Sequence, residues 1–179
     1  METNQRNTCC FFGHRKIELT EDLVCQLKEL IKHLITDKGV DTFLFGSRSD
    51  FDTVCLALVT ELKKKYPHIR RIYVRAEFPY ISESYEAYLL ERYEESYYPE
   101  RIGRAGRAVY IRRNYEMIDH SGYCVTYYDE NYMPPRRKQS KSGVADYQPN
   151  SGTKLAFEYA KKKGLTVVNV WAEREGVKP

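Results

Sequence analysis

Three short turns in the sequence combine glycine with polar side chains directly after or before apolar runs. Glycine lets a ligand approach the backbone closely, and the free N–H groups at a helix N-terminus favour phosphate. Together the turns predict a site for an anionic, phosphorylated ligand. The candidate ligand-binding residues are Gly13, His14 and Arg15; Gly46, Ser47, Arg48 and Asp50; and Ser151, Gly152 and Thr153.

The elements that must position these turns alternate between strand and helix. Apolar runs at 8–12, 41–45, 69–74, 122–127 and 165–170 predict five strands, and helical spacing of apolar residues predicts helices between them. This order predicts an α/β fold: one Rossmann-like domain over 1–179, with a mainly parallel sheet and helices on both faces. In such a sheet, ligands bind outside the carboxyl ends of the strands. All three turns are expected at that edge.

The middle and the end of the chain give weaker patterns. Residues 82–95 and 108–120 are predicted to be helical, and 98–107 an irregular connection. Residues 129–150 are polar and basic, contain Pro134, Pro135 and Gly143, and are predicted to form a mobile flap over the ligand. Residues 172–179 are expected to be a tail. The helix that starts at Ser151 is expected to pack an apolar face on the sheet; that face comprises Leu155, Phe157, Tyr159 and Ala160.

Composition narrows the class of protein. The 179 residues are 42% hydrophobic and 30% charged, and no apolar run is long enough to cross a membrane, so a cytoplasmic protein is expected. Five cysteines, an odd number without a CxxC pair, predict core packing rather than disulfides or a metal site. The histidines outside the first turn have no partner at ligand spacing. No metal and no cofactor are expected.

The net charge of +4 and a cluster of Arg136, Arg137, Lys138 and Lys141 suit an anionic small molecule. Most of the 16 tyrosines lie between Tyr73 and Tyr128, where they could stack on single-stranded nucleic acid or form a homodimer surface. The mild charge and the glutamates interleaved with the tyrosines argue against nucleic acid.

Three stretches carry a resemblance to a known family: CCFFGHR at 9–15, DTFLFGSRSDFDTVCLALVTELKKKYP at 41–67 and SGTKLAFEYAKKKG at 151–164. In order and spacing they resemble the SLOG superfamily, which joins DprA and the LOG cytokinin-activating enzymes, and in particular its small YpsA-like bacterial branch. The resemblance implies a Rossmannoid nucleotide pocket built from the glycine turns. It also implies that Ser151, Gly152 and Thr153 hold a phosphate.

Two functions follow from this pattern. LOG enzymes carry a catalytic acid in a GGxGTxxE run, and alignment on Gly152 and Thr153 places Ala156 where that acid belongs. This difference favours a module that binds a nucleotide or nucleotide-derived signal without turning it over. The alternative is a nucleotide N-glycosidase or hydrolase that uses Asp50, Asp52 or Glu77 as acid or base.

Overall fold

The computed structural model describes residues 5–76, 78–103, 106–133 and 151–171. Strands and helices alternate along these ranges, as predicted. The strands are β1 (Thr8–Gly13), β2 (Thr42–Phe45), β3 (Arg70–Val74), β4 (Glu95–Tyr97), β5 (Tyr123–Tyr127) and β6 (Thr166–Asn169). The helices are α1 (Glu21–Thr36), α2 (Asp50–Lys63), α3 (Glu83–Leu90), α4 (Val109–Asp119) and α5 (Gly152–Lys162).

All six strands lie parallel in one sheet with the order β4-β3-β2-β1-β5-β6. The chain first adds strands outward from β1 to β4 and then returns through α4 to place β5 on the other side of β1. The order therefore reverses between β1 and β5, where Gly13 pairs with Tyr127. In doubly wound sheets, this reversal opens a crevice at the carboxyl edge, which is the edge where the strands end.

Side chains alternate along each strand, so the sheet has two apolar faces. A different set of helices covers each face. Cys9 and Phe11 of β1 face one core together with α1 and α2. Cys10 and Phe12 face the other core together with α4 and α5. The prediction of an α/β sheet with helices on both faces is thus confirmed.

The sheet has one strand more than the five predicted. Residues 82–95 were expected to be one helix, but α3 ends at Leu90 and β4 begins at Glu95. Edge pairing stabilises this short, half-buried strand: Arg70 donates to Glu95 at 2.6 Å, and Arg71 donates to Glu94 at 2.6 Å. Three residues show no usable alternation, so the sequence pattern could not reveal β4.

The buried face of α5 also differs from the expected one. The buried residues are Thr153, Ala156 and Ala160, and the larger apolar side chains of the helix are only half-buried. Small residues let the helix approach β1 and β5 closely. The rings instead pack beside the helix: Phe157 lies 4.8 Å from Tyr128, and Tyr159 stacks on another helix.

Four of the five cysteines are buried, as their positions in apolar runs predicted for Cys9, Cys10 and Cys124. Burial raises the pKa of the Cys9, Cys55 and Cys124 thiols, so these groups stay protonated and pack as small apolar side chains. In the ranges given above, no helix combines the length and apolar character that a membrane span requires.

Candidate functional site

Direct contacts connect the predicted turns at the carboxyl edge of the sheet. The carbonyl oxygen of Arg15, after β1, accepts a hydrogen bond from the backbone N–H of Asp50 at 2.9 Å, so the first two turns touch. His14 accepts a hydrogen bond from the backbone N–H of Asp129, after β5, at 3.0 Å. Tyr128, in the same segment, packs on Phe157 of α5. The first turn is therefore in contact with the second, and the segment after β5 links it to α5.

In the first turn, His14 is buried and Arg15 is exposed. Burial lowers the pKa of His14, and interactions with the backbone and the carboxylate of Asp129 offset only part of this effect. The imidazole is therefore neutral near pH 7. The side chain of Arg15 is exposed to solvent at the same edge, so its guanidinium can contact an anionic ligand.

The second turn is an internally bonded loop that begins α2. The Ser47 hydroxyl donates to Ser49 Oγ at 2.9 Å and accepts from the Ser49 N–H at 3.1 Å. Ser49, rather than Asp50, caps the helix, because its side chain accepts from the N–H of Asp52 at 3.1 Å. Asp50 pairs instead with Lys16 at 3.3 Å on the surface. Arg48 is exposed and donates to the Tyr85 hydroxyl at 3.2 Å.

Two buried residues with ionisable side chains, Asp52 and Arg113, lie beneath this second turn. Asp52 accepts a hydrogen bond from the N–H of Ser47 at 3.1 Å through Oδ2. Its Oδ1 is buried and has no hydrogen-bond partner among the described residues. Arg113 of α4 is 4% exposed and donates to the carbonyl oxygens of Gly46 and Val74, the latter at 3.2 Å. Arg113 thus fixes the ends of β2 and β3.

Sequence reasoning missed Arg113 and considered Asp52 only as a candidate acid or base. A signal for Arg113 did exist, because it lies four positions before Met117, a buried residue of the same helix. Residues at that spacing share a helix face. An arginine on the apolar face of a helix that crosses a sheet is a candidate for capping strand ends.

Burial raises the pKa of Asp52 to about 7. Arg113 and the N–H groups of Ser47 and Gly46 favour the ionised carboxylate, but removal from water outweighs them. Asp52 is therefore a mixture of acid and carboxylate near neutral pH. A carboxyl group with such a pKa can act as a general acid or base if substrate reaches it.

The three site glycines are used in different ways. A Cβ on Gly13 would lie 2.4 Å from Phe51, and a Cβ on Gly46 would lie 2.5 Å from the Arg113 guanidinium. The protein's own side chains therefore fill the space that was expected for a ligand at these two turns. A Cβ on Gly152 would meet no atom of the described residues within 4 Å. Among the three, only Gly152 leaves its backbone open to a ligand.

The third turn has the features of an anion-binding helix N-terminus. The Ser151 hydroxyl accepts from the N–H of Lys154 at 3.1 Å and so caps α5. The N–H groups of Gly152 and Thr153 lie in the first turn of α5, where no preceding helical carbonyl can accept from them, so they can donate to a ligand. No acidic residue lies in the first turn of α5, whereas Asp50 and Asp52 both lie in the first turn of α2. A phosphate is therefore better accommodated at α5.

No protein-family model matches this sequence, and a comparison with curated proteins found no match. The resemblance to the SLOG superfamily therefore depends on the three motifs and on the order of the elements that carry them.

Two shallow depressions lie away from the predicted residues. One, of about 410 Å³, lies at the opposite edge of the sheet and is lined by Glu116, Asp119, His120 and Lys163, among others. Its charges pair with each other, with Lys163 2.6 Å from Asp119 and His120 2.9 Å from Glu116. The other, of about 430 Å³, lies along the start of α1.

Within the part of the chain that the structure describes, no cluster of three histidine, cysteine or acidic side chains is arranged to hold a metal ion. The basic side chains predicted for the flap, Arg136, Arg137, Lys138 and Lys141, lie outside the described residues, and so does Glu77.

Proposed function

We propose that this protein binds a nucleotide or a nucleotide-derived phosphorylated ligand at the carboxyl edge of the sheet. The observation that carries the proposal is the N-terminus of α5. It is capped by Ser151, open at Gly152 and free of acidic residues in its first turn. Because α5 packs against β1 and β5, this N-terminus belongs to the edge where the strand order reverses.

Aromatic side chains beside this N-terminus support a nucleotide over a simple phosphate. His14, Tyr128, Tyr132 and Phe157 are linked by ring contacts between the ends of β1 and β5 and the helix. Such rings offer surfaces on which a nucleobase can stack. The resemblance to SLOG proteins points to the same class of ligand.

The arrangement favours binding without turnover. Ala156, where LOG enzymes carry their acid, is fully buried in the core beneath α5. Asp50 is on the surface in an ion pair with Lys16. Asp52 is 3% exposed beneath the turn from Gly46 to Ser49, so a substrate would reach it only if that turn moved.

One observation favours a second candidate, a nucleotide N-glycosidase. The pKa of Asp52 is about 7, and its Oδ1 has no hydrogen-bond partner. Opening of the turn would expose a carboxyl group able to protonate a leaving base. In that case Asp52→Asn would abolish release of base, whereas Asp50→Asn would not.

The two candidates are separated by titrating the protein with nucleoside monophosphates, NAD and cyclic nucleotides. Calorimetry measures binding, and chromatography measures free base after long incubation. We expect saturable binding of at least one nucleotide and no release of base. Many turnovers would establish the enzyme instead. A panel in which nothing binds at millimolar concentration would refute nucleotide binding.

The position of the site is tested by Gly152→Val. In the described ranges nothing lies within 4 Å of the added Cβ, and we expect the side chain to cover the N–H groups of the helix N-terminus. We expect affinity to fall roughly ten- to hundredfold, which is the loss of about one charge-assisted hydrogen bond. Thr166→Val, at the exposed start of β6 on the opposite edge, is the matched control and should bind like wild type.

A further inference from the structure

His14 is a buried polar group with unused hydrogen-bonding capacity at the carboxyl edge. It is 2% exposed, and its Nε2 accepts the hydrogen bond from Asp129 at 3.0 Å. An accepting Nε2 carries no proton, so the neutral ring carries its hydrogen on Nδ1. That Nδ1 is buried and has no hydrogen-bond partner among the residues that the structure describes. A buried donor without an acceptor is costly and points to a group that is present only part of the time.

One short turn covers the face of this ring. Tyr132 stacks on His14 with ring centroids 3.8 Å apart and planes 20° from parallel. The turn is held by its own bonds, from the Tyr132 N–H to the Asp129 carbonyl at 3.2 Å and from the Asn131 N–H to Asp129 Oδ1 at 2.9 Å. Tyr132 is only half-buried, and Met133 after it is 74% exposed. The cover is therefore a single aromatic ring at the surface.

We propose that His14 is the base-binding residue of the site and that a nucleobase stacks on it in the place that Tyr132 now occupies. This inference rests on the proposed function. Exchange of one planar ring for another retains the stacking contact with His14. The sugar or phosphate of the ligand then supplies an oxygen that can accept from Nδ1–H, which Tyr132 does not provide. Tyr132 thus competes with the ligand for the face of His14. The free energy needed to move Tyr132 away lowers the affinity of the wild-type protein for the nucleotide.

The test compares AMP with ribose 5-phosphate, which has the phosphate but no base, in calorimetric titrations of wild type and variants. Tyr132→Ala removes the competing ring, so AMP should bind roughly two- to tenfold more tightly while ribose 5-phosphate is unchanged. His14→Ala removes the platform, so AMP should bind at least about fivefold more weakly. In His14→Ala, the further change Tyr132→Ala should bring no gain.

A matched control and a conservative variant exclude a merely structural effect. Tyr115 stacks on Tyr159 at 3.9 Å and 19°, nearly the same geometry, between α4 and α5. Tyr115→Ala should leave the AMP affinity unchanged. His14→Phe keeps a planar platform, so it should retain the preference for AMP over ribose 5-phosphate that His14→Ala loses. The single tryptophan, Trp171, lies 5.3 Å from Tyr127, which in turn contacts His14, so its fluorescence provides a second readout of AMP binding.

The outcomes separate the two proposals. If AMP binds and neither Tyr132→Ala nor His14→Ala changes its affinity relative to ribose 5-phosphate, the base-binding role of His14 is wrong and the proposed function stands. If none of the nucleoside monophosphates, NAD and cyclic nucleotides of the panel binds to wild type or to Tyr132→Ala, then both proposals fail. Equal tightening of AMP and ribose 5-phosphate in Tyr132→Ala would also overturn the base-binding role, because Tyr132 would then obstruct the phosphate.

Discussion

Glycine after a strand has two explanations that the sequence cannot distinguish. The residue is the same whether a ligand or another side chain occupies the space beside it. At Gly13 and Gly46 the occupants are Phe51 and Arg113, and the latter is 67 positions away in the chain. At Gly152 no atom of the described protein lies near. The candidate residues were thus placed correctly at one edge, but the reason for two of the glycines was visible only in three dimensions.

Alanine substitutions at these glycines should separate the two uses. Gly13→Ala forces its methyl against the Phe51 side chain and should lower the free energy of unfolding by about 1–3 kcal/mol. Gly46→Ala should also destabilise, because its methyl meets the buried Arg113 guanidinium. Gly152→Ala, the matched control, should leave stability unchanged or raise it slightly. Urea unfolding measures all three, and a Gly13→Ala protein as stable as Gly152→Ala would contradict the packing described here.

Because the pKa of Asp52 is raised in the folded protein, we expect the free energy of unfolding to depend on pH. An unfolded aspartate ionises near pH 4, whereas folded Asp52 ionises near pH 7. Between these values the folded state holds a proton that the unfolded state has lost, so the contribution of Asp52 to stability falls as pH rises. Above about pH 7 the contribution of Asp52 to stability is constant, because the carboxyl group is ionised in both the folded and the unfolded state.

Asp52→Asn removes this titration. Between pH 4 and pH 8, the unfolding free energy of wild type relative to Asp52→Asn should fall by at most about 4 kcal/mol, at about 1.36 kcal/mol for each pKa unit. Asp50→Asn is the control on the same helix: its exposed pair with Lys16 should give a nearly constant difference. Parallel pH profiles for wild type and Asp52→Asn would show that Asp52 ionises normally.

At the scale of elements, the sequence indicates where a helix begins more clearly than which of its faces is buried. Threonine and serine are preferred at helix N-termini, and the side chains of Thr20 and Ser151 cap α1 and α5. Of the face predicted for α5, Ala160 is buried as expected. The larger side chains of that face are only half-buried, because close packing on a sheet favours small residues such as Ala156 and Ala160. Strand β4 was not predicted because its contacts are made with Arg70 and Arg71, which lie more than 20 positions earlier in the chain, in β3. A local sequence pattern does not show such contacts.

The N-terminus of α5 supports a prediction in which stability and affinity change in opposite directions. Gly152→Asp places a negative charge in the first turn, where the helix dipole favours it by about 0.3–1 kcal/mol. The same charge repels a phosphate. Gly152→Asn has the same shape without the charge and is the matched control.

We therefore expect Gly152→Asp to be at least as stable as Gly152→Asn and to bind AMP, or whichever nucleotide the panel identifies, at least about tenfold more weakly. Thermal unfolding and calorimetry measure the two quantities. Equal affinity of the two variants would place the phosphate away from α5.

At the scale of the whole molecule, the alternation of strands and helices was enough to predict a parallel α/β sheet. The central strand β1 faces both cores and is a continuous apolar run at residues 9–12, and such runs are readily recognised. The order of the strands places β1, which ends at the first turn, beside β5, which precedes the last turn in the chain. The buried contact of Arg113 with Gly46 joins segments that no local pattern relates.

The tyrosine-rich middle of the chain leaves apolar side chains on the surface beside α3. Tyr80 is 91% exposed, Phe78 is 62% exposed and Leu90 is 52% exposed. The homodimer expected from the tyrosines stays a prediction, and sedimentation analysis of wild type tests it.

The central claim is that a nucleotide binds at the carboxyl edge of the sheet. Proton–nitrogen correlation spectra of the 21.1 kDa protein, recorded during titration with AMP and the other nucleoside monophosphates, test this claim residue by residue. We expect saturable shifts at the amides of Gly152, Thr153 and His14, with none at Asp119 and His120 on the opposite edge. Shifts confined to the depression around Asp119 and His120, or no shifts at millimolar nucleotide, would contradict it.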